Sequence, residues 1–153
     1  VVEIAYGDAE WMMERSVDEY DELGVGEYVR FTKPLVDADV NAFAQASGDT
    51  NRLHLDDAFA EATRFDGRIV HGTLVAGTIS AALARLPGLT IYLSQDLEFN
   101  APVRIGDVVT AECEIVEDLG ENRYRLSTAV YDQDERAVIE GEAVVPIDPD
   151  VDQ

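Results

Sequence analysis

Only two of the 153 residues are histidines, His54 and His71, against 32 Asp and Glu, so imidazole chemistry must use one or both of them. In Ser47-Gly48-Asp49-Thr50-Asn51-Arg52-Leu53-His54 a carboxylate precedes the first histidine by five positions. That spacing does not suit one helical face, so the two side chains converge only if a loop folds back. A carboxylate and an imidazole held together can bind a water, tune each other's pKa and exchange protons with a substrate, an effect worth roughly 10² to 10⁴ in rate. The same residues also make an ordinary Asx turn beside a packed surface histidine. The pair alone does not choose between the two.

His71-Gly72 opens an uncharged segment that reads as a helix. Unsatisfied N–H groups at a helix start can hold a developing oxyanion such as a thioester enolate, and glycine lets a substrate approach the backbone closely. Alternatively, His71 caps the helix and Gly72 permits tight packing. Ser80, in the same segment, either bonds back to a helix carbonyl or faces a substrate channel; no Gly-x-Ser-x-Gly elbow surrounds it. Cys113, between two glutamates, reads as a small core residue. Asp49, His54 and His71 supply metal-ligand types, but with no His-Glu-x-x-His and no cysteine cluster no metal is expected. Walker and Gly-x-Gly-x-x-Gly loops are also missing, so no nucleotide or redox cofactor is expected. Arg52, Arg64 and Arg68 cluster around the loop in sequence, where they can meet a phosphate-bearing ligand or pair with Asp56, Asp57, Glu61 and Asp66.

These residues need elements to position them. Glu27 to Phe31 reads as a strand and Asp37 to Ala46 as a helix with Val40, Phe43 and Ala44 on one face, stopped by Gly48. Asp56 or Asp57 caps a second short helix reaching about Ala62. His71 to Arg85 contains no Asp, Glu or Lys, and a helix without a charged face is expected to be buried all round. Thr90 to Phe99 alternates apolar and polar residues, as do Ala111 to Ile115, Tyr124 to Val130 and Ile139 to Val145. Antiparallel strands with one wet face around one dry helix predict an α+β architecture, a hot-dog fold. We divide the chain into an acidic extension (1–26), the hot-dog domain (27–147) and a frayed tail (148–153).

A net charge of −21 argues against nucleic-acid and anionic-membrane partners, which need clustered cations. No apolar run is long enough to span a bilayer, the N-terminus does not read as a signal peptide, and the lone Cys113 suits a reducing compartment, so a cytoplasmic location is expected. Lys33 is the only lysine. So acidic and lysine-poor a surface repels itself until salt screens it, at ~1 M with a Debye length of about 3 Å, which suggests a salt-adapted host.

The ordered motifs resemble a known family, the MaoC-like or (R)-specific enoyl-CoA hydratases, including small bacterial enzymes that feed polyhydroxyalkanoate synthesis. Its motif is matched by Phe43, Ser47-Gly48-Asp49-Thr50-Asn51-Arg52-Leu53-His54 and Ala60, except that Arg52 stands where the family has proline. Ile69-Val70-His71-Gly72-Thr73-Leu74, Ile91-Tyr92-Leu93, Leu97 to Phe99, Pro102-Val103 and Gly106-Asp107-Val108 extend the likeness over Glu27 to Pro146. The resemblance implies that Asp49 and His54 are a catalytic dyad holding water and that the Gly72 N–H binds the thioester oxygen. Ser80, His71, Asn51, Arg52 and Arg68 are expected to contact an acyl-CoA substrate. Without proline, the loop at Arg52 is expected to be looser. The implied reaction is reversible syn hydration of a trans-2-enoyl-CoA, without metal or cofactor, by a homodimer that shares a continuous sheet. Two rivals are another thioester enzyme on this fold, such as a different 3-hydroxyacyl-CoA dehydratase or a thioesterase, and a non-catalytic acyl-CoA-binding module.

Overall fold

The computed structural model describes residues 11–150. In chain order it holds β1 (Met12–Arg15), β2 (Tyr28–Pro34), α1 (Asp37–Ser47), α2 (Arg52–Leu55), α3 (Asp57–Glu61) and α4 (Gly72–Leu83). Three short strands follow, β3 (Leu89–Thr90), β4 (Ser94–Gln95) and β5 (Glu98–Phe99), then the long β6 (Val108–Gly120), β7 (Arg123–Tyr131) and β8 (Ala137–Asp148). All pairings are antiparallel, and the strands form one sheet in the order β1-β2-β6-β7-β8, with β3, β4 and β5 laid along the far side of β8.

The period-2 patterns decide which face is dry. Val109, Ala111, Cys113 and Ile115 of β6, Leu126, Thr128 and Val130 of β7, and Ile139, Ala143, Val145 and Ile147 of β8 are all buried. Apart from Thr128, they form one core with Val75, Ile79, Ala82 and Leu83 of α4, each fully buried Val, Leu or Ile side chain contributing about 1.5–3 kcal/mol. This is the expected sheet wrapped around a helix.

Two expectations need correction. α4 is not buried all round: Thr73, Gly77 and Ser80 on it, and Ala84 at its C-terminal end, are exposed and fall on one helical face. Absence of charge does not by itself demand burial, because small residues carry little apolar area and can be left open at small cost. Nor is Thr90 to Phe99 one strand. The register against β8 steps by one residue between Thr90↔Ile147 and Ser94↔Val144. Asp96 then leans onto β8, its N–H donating to Glu142 O and its Oδ1 accepting the Glu142 N–H, both at 2.9 Å. The neighbouring Gly141 leaves the necessary room, because a Cβ there would lie 1.9 Å from Asp96 O.

Of the acidic extension, residues 1–10 lie outside the described residues, as do 151–153 of the tail. Within the rest, β1 pairs with β2, Trp11 packs edge-on against Phe31 at 5.7 Å, and the Tyr20 hydroxyl donates to Ile147 O at 2.8 Å.

Candidate active site

A ladder of local hydrogen bonds folds the Asp49–His54 loop back. Gly48, at φ 83°, closes α1 by donating to Ala44 O at 2.8 Å, a left-handed conformation natural to glycine. Ser47 Oγ accepts the Asp49 N–H at 3.1 Å, Asp49 Oδ1 accepts the Asn51 N–H at 3.3 Å, and Asn51 Oδ1 accepts the Leu53 N–H at 3.0 Å. Asp49 therefore does make the Asx turn, with one oxygen, and keeps Oδ2 for other partners. Asn51 is spent as the cap of the single-turn α2, which carries His54 into the interior at 8% exposure. Of the two aspartates offered as the next cap, it is Asp56 that serves, accepting the Phe59 N–H at 3.0 Å.

His54 Nδ1 lies 2.8 Å from Ile69 O. A carbonyl only accepts, so Nδ1 carries the hydrogen and Nε2 offers a lone pair. His71 Nε2–H likewise donates to the backbone oxygen of Asp49 at 3.0 Å. The two imidazoles stack with centroids 4.0 Å apart, and the Phe43 ring lies 4.8 Å from that of His71. One nitrogen or carboxylate oxygen from each of Asp49, His54 and His71 falls within 4.8 Å of the others. His71 is 1% exposed, and its Nδ1 has no hydrogen-bond partner among the described residues. A buried acceptor left unpaired costs about 1–3 kcal/mol, which a bound water would recover.

Gly72 begins α4. Leu74 and Val75 donate to His71 O at 3.0 and 3.1 Å, so the Gly72 and Thr73 N–H groups lie ahead of the helical ladder. Gly72 and His54 line one pocket of about 600 Å³, walled largely by apolar side chains such as Val75, Phe99 and Val103. A Cβ on Gly72 would lie 2.9 Å from the Phe99 ring.

Other expected contacts lie elsewhere. His71 makes no side-chain cap; it is buried, donates to the Asp49 carbonyl and stacks on His54. Arg52 occupies the first position of α2, reaches Asp56 Oδ2 at 3.4 Å and lies over the Phe59 ring at 4.4 Å. Instead of loosening the loop it ties α2 to α3. Arg68 donates to His54 O at 2.7 Å and pairs with Asp37 at 2.6 Å and Asp57 at 3.7 Å. In so acidic a chain, nearby carboxylates and carbonyls claim both guanidiniums. Ser80 faces a groove shared with Trp11, Phe43 and Leu74, outside the pocket of His54 and Gly72. Cys113 is buried, which pushes its thiol up to about 12, in keeping with a core role. The sequence reading missed the Ile69 carbonyl, which carries no side-chain signal, and Phe99, which it assigned only to a strand face.

The MaoC-like domain model matches residues 22–136. The chain is 45% identical over 129 residues to an (R)-specific enoyl-CoA hydratase of Aeromonas caviae, covering 82% of this chain and 96% of that protein. It is 41% identical over 130 residues to a 3-hydroxybutyryl-CoA dehydratase of Methylorubrum extorquens, covering 84% and 83%. Among solved structures, the unliganded R-hydratase PhaJ1 of Pseudomonas aeruginosa superposes with a TM-score of 0.81 at 39% identity, covering 94% of each chain. With the family model spanning most of its length and relatives this similar across both chains, the protein belongs to the MaoC-like domain family.

Proposed function

We propose that the protein is a hydro-lyase, an (R)-specific enoyl-CoA hydratase that adds water reversibly to a trans-2-enoyl-CoA to give an (R)-3-hydroxyacyl-CoA. The observation that carries this reading is the convergence of the Asp49 carboxylate and the His54 imidazole, whose Nδ1 is held by Ile69 O, beside a helix start whose Gly72 N–H lies ahead of the ladder. The dyad holds a water. As its oxygen bonds to the β-carbon, the water gives a proton to the dyad, and the alkene electrons move onto the thioester oxygen as an enolate. The Gly72 N–H donates to that oxygen, a contribution that grows with the developing charge. The dyad then returns a proton to the α-carbon from the same face, and the carbonyl re-forms. Interacting groups such as these titrate as a pair.

An acyl chain long enough to run along the open face of α4 would bring Ser80 into contact. The reaction needs neither a metal nor a redox cofactor, so EDTA treatment is expected to leave the rate unchanged. Leu89, Ile91, Leu93 and Phe99 are exposed on the sheet edge formed by β3, β4 and β5, an apolar edge that a second copy would cover by continuing the sheet. We accordingly propose a homodimer; a monomer by sedimentation at micromolar concentration would remove it. No helix among the described residues is long and apolar enough to cross a membrane, and a coenzyme A thioester substrate suits the cytoplasm. The (R)-configured product also suits supply of polyhydroxyalkanoate synthesis.

The test is incubation with crotonyl-CoA in molar KCl, following enoyl-thioester absorbance and free thiol together. Hydration removes absorbance and releases no thiol. Thiol release identifies a thioesterase, and binding with neither change identifies a non-catalytic module.

A further inference from the structure

Resting on the hydratase reading, we infer that Arg64 is the residue that grips the phosphates of the substrate's coenzyme A portion. Of the three arginines that the sequence places near the loop, two are already engaged, Arg52 by Asp56 and Arg68 by Asp37, Asp57 and the His54 carbonyl. Arg104, which also lies close by, donates to the Phe65 carbonyl. Arg64 pairs with no carboxylate among the described residues, although Glu61 and Asp66 are its neighbours in sequence. It lines the pocket that holds His54 and Gly72. An uncommitted cation on that pocket, in a chain of net charge −21, is what an anionic ligand requires if it is to approach against the overall field.

The surroundings hold this cation ready. Its guanidinium lies 4.7 Å from the Phe65 ring centroid, a contact that steadies the group while its N–H donors stay available. The turn beneath is fixed by the Phe65 N–H donating to Thr63 Oγ at 3.2 Å and the Gly67 N–H donating to Ala60 O at 3.2 Å, besides the bond from Arg104. Phe65, Ile69, Val103 and Pro102 give the same pocket an apolar wall suited to a pantetheine arm. The thioester then lies at Gly72 and the phosphates at Arg64.

The experiment compares Arg64→Ala with the unaltered enzyme on crotonyl-CoA and on crotonyl-N-acetylcysteamine, which has the same thioester but no phosphate, at low KCl. Removing a charge-assisted contact is expected to raise KM for crotonyl-CoA about 10-fold or more with kcat retained. No comparable rise is expected for the phosphate-free thioester, and the effect should shrink as salt screens it. Arg64→Lys should keep part of the affinity. Arg123→Ala, which removes the same charge on β7 outside the pocket, controls for the overall field. The inference is overturned if Arg64→Ala leaves KM for crotonyl-CoA unchanged, raises it equally for both thioesters, or raises it no more than Arg123→Ala does. If the unaltered protein hydrates neither thioester at low KCl or in molar KCl, the hydratase reading is what fails. Calorimetric titration with free coenzyme A then decides Arg64 alone: weaker binding by the Ala variant upholds its role, and equal binding removes it.

Discussion

In the proposed mechanism Asp49 and His54 divide their atoms between structure and chemistry. Asp49 Oδ1 accepts the Asn51 N–H and His54 Nδ1–H donates to Ile69 O, so the turn and the tautomer are fixed by one side of each group while Oδ2 and Nε2 remain. The spacing of the two residues was legible in the sequence, and so was the need for a loop that folds back. The tautomer was not, because it depends on a main-chain oxygen fifteen residues away. Nor was the place of His71, which is spent on Asp49 O and on the stack against His54. Asp49→Asn and His54→Ala are each expected to lower kcat by at least roughly 10²; Asp49→Asn keeps an oxygen for the turn and should leave the melting temperature nearly unchanged, whereas His54→Ala removes a buried ring and the donor to Ile69 O and should lower it. Near-normal turnover in either variant removes the dyad from the mechanism.

At the scale of elements, the departure at Arg52 has a structural explanation. Arg52 is the first residue of α2, the position at which proline is favoured because its missing N–H is one the helix does not use. Asn51, at φ −56° and ψ 129°, already has the extended backbone that a following proline demands. Arg52→Pro is therefore expected to fold and turn over normally. Its gain of about 0.4–1 kcal/mol from a stiffer unfolded chain would be offset in part by loss of the exposed contact with Asp56. A fall in denaturation midpoint would show that the Arg52 contacts matter more than the backbone. α2 itself was not legible, since a single turn is too short for periodicity to register. Its signals were Asn51 and Asp56, caps at either side. The long strands were legible because each has one wet face, whereas the broken edge along β8 turns on the close approach of Asp96 to Gly141, which no residue pattern announces.

For the molecule as a whole, the wrapped sheet followed from alternation and an uncharged helix, but the open face of α4 did not, because hydropathy does not distinguish a small residue that is buried from one that is bare. The surface is the other global feature. Nine ion pairs among the described residues leave most carboxylates without a cation. Their mutual repulsion should be relieved by salt, so the melting temperature is expected to rise between low and molar KCl; no rise removes the proposal of a salt-adapted host. The central claim is that one dyad works from one face of the substrate, and its most direct test is hydration of crotonyl-CoA in D₂O with both new stereocentres assigned by NMR. The predicted product has the (R) configuration at the β-carbon, with deuterium at the α-carbon on the face that received the hydroxyl. Anti addition, or an (S) product, contradicts it.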